Sequence, residues 1–479
     1  MIKLLPFIPL ISLLINFSAL KISKLTSFSH FSAIFLALLF IFQIFNLNDN
    51  FSLELLSLSF LKMPPGFTLT LYFSETHRLM LLALGIIWLC LIFYSKQYFE
   101  LLDKEDHPYY FNFFLPLIVG LISGVVLSEN LLTLLFFYQF IALAVWLSLG
   151  LFSGKEAANS VRNFGILIII LPIFFFLGTS STYFTAGEID FISGGIFYEQ
   201  KISNLSLPLT FYLISLSLIA LAPIYLLFRN LHLINLPVLL LNLMALAFVI
   251  IIGLLKVIYG IFGAEIFNEL MWQNNLLLYL LIINLFLSAV LAIRSEDLKR
   301  ILFYLFFNQF ACLLMFFLFF SLNAKRMQII SASFLLGQTL IFLIFANINL
   351  YLKIAHSKDI KAIFTPLKLN ILALIFIFLN FAGCITAIGF IEKFWLFSNA
   401  FKDESIINIV ALAVNILLIL ILALKLIWPM LLHKKFNSDL KNLGRALEHN
   451  FGLTIPIIVI PALLFLLSFP FLTKYLITF

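Results

Sequence analysis

The chain has 479 residues, of which 63% are hydrophobic and only 11% are charged, and it carries a net charge of +7. Soluble domains carry roughly 25% charged residues, so the composition excludes a soluble globular protein of this size. The three cysteines lie in apolar runs without a Cys-x-x-Cys pair, which argues against a disulfide framework and against a zinc or iron–sulfur site. We therefore predict an all-α polytopic membrane protein that lies in the lipid bilayer. We expect no nucleic acid among its partners.

Apolar windows of about 20 residues recur along the whole chain, and each can cross roughly 30 Å of hydrocarbon. The fourteen predicted spans lie near residues 4–20, 29–46, 79–95, 110–127, 131–152, 164–183, 206–228, 237–261, 274–293, 301–322, 328–351, 369–400, 405–432 and 452–473. The seventh contains Pro223, and the twelfth is too long for one straight helix and contains Gly383 and Gly389. We predict that both are broken helices.

Most lysine and arginine residues outside the spans follow odd-numbered spans, and few follow even-numbered ones. Positive charge in short loops marks the cytoplasmic side. This asymmetry predicts that the loops after odd-numbered spans are cytoplasmic and that both termini lie outside. The expected location is the inner (plasma) membrane of a bacterium.

Four charged residues fall inside the predicted spans: Lys256, Glu392, Lys393 and Lys425, whereas no histidine lies near a span centre. An ionisable side chain at membrane depth is costly and marks a functional candidate. Lys393, beside the two glycines of the twelfth span, is the first candidate, with a lysine snorkelling to the surface as the alternative. Glu392 is either its charge partner or a polar group at the helix break. For Lys425, snorkelling or a structural pairing is the expectation.

Four segments, in the same order and on the same helix numbers, resemble one family. They are Val125–Phe140, Leu254–Gly260, Glu296-Asp-Leu-Lys-Arg-Ile-Leu-Phe-Tyr304 and Gly389-Phe-Ile-Glu-Lys-Phe394. The chain resembles a divergent member of the proton-conducting antiporter-like membrane proteins. This family comprises the M-type and N-type membrane subunits of bacterial NADH-quinone oxidoreductase (complex I) and the D-type component of Mrp Na+/H+ antiporters.

The resemblance implies two inverted five-helix repeats, with broken helices 7 and 12. The repeats would cover 110–261 (helices 4–8) and 274–432 (helices 9–13), between the N-terminal helices of 1–109 and a cytoplasmic loop with helix 14 at 433–479. It also implies a mid-membrane ion path, a cytoplasmic motif and other membrane subunits as partners. The implied residues are Lys393, Lys256, Glu392, Gln139 and Gln338 for the path, and Lys299 and Arg300 for the motif.

Three departures from the family bear on conduction. The fifth-helix glutamate falls on Gln139, the seventh-helix lysine falls near Leu218, and the eleventh-helix lysine falls on Gln338. An amide does not titrate, and losing a buried carboxylate and its lysine together leaves a neutral interior. The first half-channel is therefore expected to be degenerate.

The expected function is that of a membrane subunit which couples proton or Na+ movement to NADH-quinone electron transfer or to Na+/H+ exchange. The resemblance implies no cofactor, metal, redox centre or hydrolytic site in this chain, so any enzymatic activity would belong to the complex. Two alternatives stay open: a non-conducting structural or assembly subunit that keeps the fold, and an autonomous solute transporter.

Overall fold

A computed structural model describes most of the chain. The described residues are 2–21, 26–46, 51–57, 68–101, 107–199, 207–219, 230–273, 276–319, 324–354, 367–383, 388–402, 405–431, 447, 450 and 453–464. Its helices are α1 (Ile8–Lys21), α2 (Thr26–Asn46), α3 (Arg78–Glu100), α4 (His107–Leu127), α5 (Leu131–Phe152), α6 (Lys155–Ala186), α7 (Ile196–Glu199), α8 (Leu207–Ile219), α9 (Leu236–Lys256), α10 (Ala264–Gln273), α11 (Leu276–Arg294), α12 (Leu298–Phe319), α13 (Ala324–Ile354), α14 (Lys368–Ala382), α15 (Ile388–Lys402), α16 (Ile406–Leu431) and α17 (Leu453–Leu464).

Among the described residues, ten helices are long and apolar enough to cross a membrane, and four shorter helices are also apolar. Over the described residues, each predicted span overlaps at least one helix, because an apolar run of membrane length can satisfy its backbone only as a helix. The predicted polytopic helical membrane fold is confirmed. The twelfth span is broken between Ala382 and Ile388, as predicted. The expected break at Pro223 lies outside the described residues, and the inverted repeats stay a prediction.

A β-hairpin, which the sequence analysis did not predict, precedes α3. Strands β1 (Phe51–Ser57) and β2 (Thr68–Phe73) pair antiparallel. The side chains of β2 alternate between buried and partly exposed, which is the period of a strand. The hairpin is joined to α5, because the Thr70 N–H donates to Thr133 Oγ1 (3.0 Å) and Asn130 Nδ2 donates to the Thr68 carbonyl (2.9 Å).

The chain divides into two compact units, which are described separately. The first comprises Met1–Ile92, Tyr109–Tyr279 and Phe320–Gln328, and the second comprises Phe93–Pro108, Leu280–Phe319 and Ile329–Phe479. In the first unit, α9 is apolar on every side and buried from Leu236 to Leu255, as expected of a helix surrounded by others. In the second unit, α14, α15 and α16 pack on one another, and α15 also contacts α12.

Candidate functional site

The break in the twelfth span is held by Asn380. Gly383 ends α14 in the left-handed conformation, with φ of 79°, and its N–H donates to the Asn380 carbonyl at 3.1 Å. The Asn380 side chain crosses the break, where Oδ1 accepts the Gly389 N–H at 3.0 Å. A Cβ on Gly389 would lie 2.0 Å from the Asn380 carbonyl oxygen. Glycine is therefore required at both ends of the break, for its positive φ at Gly383 and for close backbone approach at Gly389.

Lys393 lies in the second turn of α15 and is only 3% exposed. Its stem packs against Gly383, where an added Cβ would meet Lys393 Cδ at 2.7 Å. Among the described residues, its amino group Nζ has no hydrogen-bond partner. A buried ammonium without a partner is strongly unfavourable. Buried polar groups normally have a protein or water partner, so Nζ is a place where an internal water would be bound.

Two of the other predicted path residues lie in the same unit. Glu392 is half-buried and accepts a hydrogen bond from the Cys312 thiol of α12, while the charge of Lys393 acts on both groups. Gln338 of α13 is 0% exposed, and neither atom of its amide has a partner in the described structure. Buried polar groups normally find protein or water partners. Lys393 and Gln338 are thus two places where internal water would be bound.

A cluster of amides on α12 was missed by the sequence analysis. Asn308 Nδ2 donates to the Leu285 carbonyl and to Asn415 Oδ1, both at 2.8 Å, and Gln309 Nε2 donates to Asn308 Oδ1 at 2.9 Å. Cys312 follows Asn308 by one turn, so the two share a face of the helix. The dipeptide Asn308-Gln309 inside an apolar span was the available signal, but it carries no charge and so was not among the ionisable candidates.

Lys256, in the first unit, has partners. It ends α9 where the chain turns into a π-helix, Val257–Phe262, a distortion frequent at functional sites. Its Nζ donates to the Ser128 carbonyl and to Ser128 Oγ (3.0 Å), and lies 5.4 Å from the centre of the Phe191 ring. The ammonium is therefore held by hydrogen bonds and by a cation–π contact.

Two positions that the resemblance singles out in the first unit, Gln139 and Leu218, hold uncharged side chains. Gln139 is exposed on α5, so the structure does not bring it together with the other candidates. Its neighbour Tyr138 points inward instead and donates its hydroxyl to the Ser217 carbonyl at 3.1 Å. Leu218 is buried against Gly253, where an added Cβ would meet the leucine side chain at 2.9 Å. A phenol and a packed leucine thus occupy this part of the first unit.

Solved structures share this architecture. A chain of the Mrp complex from Dietzia sp. DQ12-45-1b superposes with a TM-score of 0.74 at 12% sequence identity, over 99% of this chain and 95% of that one. A chain of the membrane-bound sulfane sulfur reductase (MBS), an archaeal respiratory membrane complex, superposes with a TM-score of 0.73 at 16% identity, over 98% and 95%.

The chain has their fold. No protein-family model matches the sequence, and a search of curated proteins finds no match. The two solved structures confirm, at the level of the fold and over nearly the whole chain, the resemblance that the four motifs indicate.

The cytoplasmic motif begins with a helix cap. Asp297 Oδ1 accepts the N–H of Lys299 at 3.0 Å at the start of α12, which is the capping role of an aspartate. Lys299 is half-buried and Arg300 is exposed. Part of this recognisable motif is therefore explained by helix initiation alone.

Lys425 has the structural pairing that the sequence analysis expected. It is exposed, and its Nζ donates to the Ile293 carbonyl at 2.5 Å and to the Ser295 carbonyl at 2.6 Å. These are carbonyl groups at the C-terminal end of α11, where a cation is favourable. Among the described residues, no group of three His, Cys, Asp or Glu side chains could hold a metal ion.

Proposed function

We propose that the chain is an integral membrane subunit of a multi-subunit complex that moves protons or Na+. It would belong to the antiporter-like family and lie in the plasma membrane of a bacterium with both termini outside. Two observations support the assignment: four motifs in family order, and a fold shared with chains of an Mrp complex and a respiratory membrane complex. The coupled process would be Na+/H+ exchange or electron transfer in peripheral subunits.

The observation that carries the proposal is the buried amino group of Lys393 at a helix break. The C-terminal end of α14 favours a cation there, and the N-terminal end of α15 disfavours one. Since Nζ has no described partner, it can bind an internal water, and in this proposal that water brings the proton and takes it away. Glu392, held by Cys312, is the nearest carboxyl group in sequence that can compensate the charge.

The second unit also offers polar stations for water. Gln338 has two amide atoms without described partners, and Asn308, Gln309 and Asn415 form a continuous hydrogen-bonded set. Amides do not titrate, but they donate and accept hydrogen bonds. In this proposal they order the water that carries protons to and from Lys393.

The first unit is proposed to contribute less. Its Lys256 is retained, but Tyr138 and Leu218 occupy the region where the family has a carboxylate and a lysine. This observation also favours a second candidate, a structural or assembly subunit that has lost conduction. The two candidate functions differ in whether ions move by way of Lys393.

The test is purification of the tagged chain from native membranes, followed by flux measurements on membrane vesicles that contain the complex. We expect other membrane subunits to co-purify and vesicles to acidify or alkalinise when supplied with Na+ or with an electron donor. Peripheral flavin and iron–sulfur subunits would place the chain in a respiratory complex, and small membrane subunits alone would place it in an exchanger. Recovery as a lone monomer would contradict the proposal and favour a solute transporter.

A further inference from the structure

A cavity of about 260 Å³ lies in the first unit beside Lys256. Its lining includes Thr76 and His77 before α3, Phe191 and Ser193 from the loop after α6, and Lys256 itself. Several of these come from segments that the charge asymmetry assigns to the outer side. Liquid water occupies roughly 30 Å³ per molecule, so the cavity has room for several waters.

His77 is held in one orientation by the backbone. The Ser74 N–H donates to His77 Nδ1 at 3.2 Å. Because an amide N–H can only donate, Nδ1 is the acceptor and the proton of the neutral ring is on Nε2. The Ser74 hydroxyl also lies 3.2 Å from Nδ1, and the ring lines the cavity. The geometry leaves one histidine nitrogen for water.

Lys256 faces the same cavity with one donor to spare. Ser128 supplies two acceptors, its carbonyl and its hydroxyl, whereas an ammonium has three donors. The third position of Nζ is available to cavity water: it donates a hydrogen when the amine is protonated and accepts one through its lone pair when the amine is neutral. His77 and Lys256 are also close enough to interact electrostatically, so a positive charge on one disfavours a positive charge on the other.

The other charges near the cavity are acidic or flank the histidine in sequence. Glu129 attracts Lys256. Partial burial raises the pKa of Asp190, and the carboxylates of Glu129 and Glu188 raise it less strongly. The hydrogen bond from Asn130 lowers that pKa. Glu75 and Arg78 are the charged neighbours of His77 in sequence.

We propose that His77 relays protons between the solution on the hairpin side and Lys256, through the water of this cavity. This inference rests on the proposed function. A proton from solvent reaches Nδ1 through the Ser74 hydroxyl, which lies 3.2 Å from that nitrogen, and the hydrogen bond from the Ser74 N–H to Nδ1 is lost. Nε2 then releases its own proton to a cavity water, and the neutral amine of Lys256 takes that proton up. The ring is left with its proton on Nδ1 and returns to the Nε2–H form before the next cycle, so no other reactant is consumed.

The test uses the intact complex in membrane vesicles, with the initial rate of proton movement measured against pH. We expect His77→Gln to lower the initial rate by about tenfold across the pH range, because a glutamine amide does not titrate and cannot pass a proton on. His30→Gln is the matched control, since His30 lies on α2 and is not among the described residues that line the cavity, and it should leave the profile unchanged. A wild-type profile in His77→Gln would overturn the relay.

A second readout does not depend on transport. Ile252 lines the cavity one turn before Lys256, and its neighbour Ile251 does not, although both are buried. In a background without the native cysteines, Ile252→Cys should react with a membrane-impermeant thiol reagent added on the hairpin side, and Ile251→Cys should not. An unreactive Ile252→Cys would contradict a water-filled cavity. If Ile252→Cys reacts but the wild-type complex moves no protons, the proposed function fails, and the relay fails with it.

Discussion

The two intramembrane lysines that fall in family motifs have opposite surroundings. Lys256 has two acceptors on Ser128, an aromatic face and a cavity beside it, whereas Lys393 is buried at a helix break with no described partner. The sequence placed both on one expected path, with Lys393 as the first candidate. The difference teaches that a lysine's partners, more than its depth in the membrane, separate an amino group that hydrogen bonds hold in place from one that has no described partner.

The largest expected effect concerns the helix break. Gly389→Ala places a Cβ 2.0 Å from a backbone oxygen that is fixed in α14, so the half-helices cannot keep their present contact. We expect a loss of about 4 kcal/mol or more of stability, measured as loss of monodisperse protein and a lower melting temperature in detergent. Gly150→Ala is the control, since nothing lies within 4 Å of its Cβ. Equal melting temperatures for the two variants would show that the break is not rigid.

Asn308→Leu is expected to be the next most damaging change. It removes the oxygen that accepts from Gln309 Nε2 and the amide group that donates to Asn415 Oδ1. Each buried group left unpaired costs about 1–3 kcal/mol of stability. The melting temperature and the proton flux should both fall. A variant that is as stable as wild type would mean that water already replaces these hydrogen bonds.

Gln338→Leu should separate stability from flux. Both amide atoms lack described partners, so replacing the amide with an apolar group of similar size should leave the melting temperature unchanged or raise it. The flux should fall severalfold, because a water station is lost. Retained flux would remove Gln338 from the path, while a lower melting temperature would show that its amide has protein partners.

The smallest effect is expected at Lys425. Its two hydrogen bonds to carbonyl oxygens of the α11 C-terminal region are exposed, so Lys425→Met should lower the melting temperature slightly and leave the flux at the wild-type level. This variant is the matched control for any lysine in the path. A flux defect without a stability defect would give Lys425 a role in transport.

Much of the fold could be predicted because span length follows from bilayer thickness and because two glycines marked the break between Ala382 and Ile388. The hairpin was not predicted, although Thr68–Phe73 alternates as strands do, because a six-residue strand leaves no signal in apolar windows of membrane length. His77 was not a candidate for a related reason, since it lies just before a span rather than inside one.

The sequence alone did not predict which residues of a helix point into the protein. Tyr138 and Gln139 are neighbours, about 100° apart around α5, and the structure buries the tyrosine and exposes the glutamine. Which of two adjacent polar residues points inward depends on the packing of α5 against α6 and α9, and a single sequence does not contain that packing. The surroundings of Lys393 likewise depend on the side chains of other helices.

The central claim is that protons move by way of Lys393. The most direct test measures proton movement by the intact complex that carries Lys393→Met, beside complexes that carry Lys256→Met and Lys425→Met. The account predicts that Lys393→Met abolishes the flux without lowering the melting temperature, because it removes a buried amino group that has no described partner while keeping the volume. Lys256→Met should reduce the flux, and Lys425→Met should not. Wild-type flux in Lys393→Met would contradict the account and leave a structural subunit as the better description.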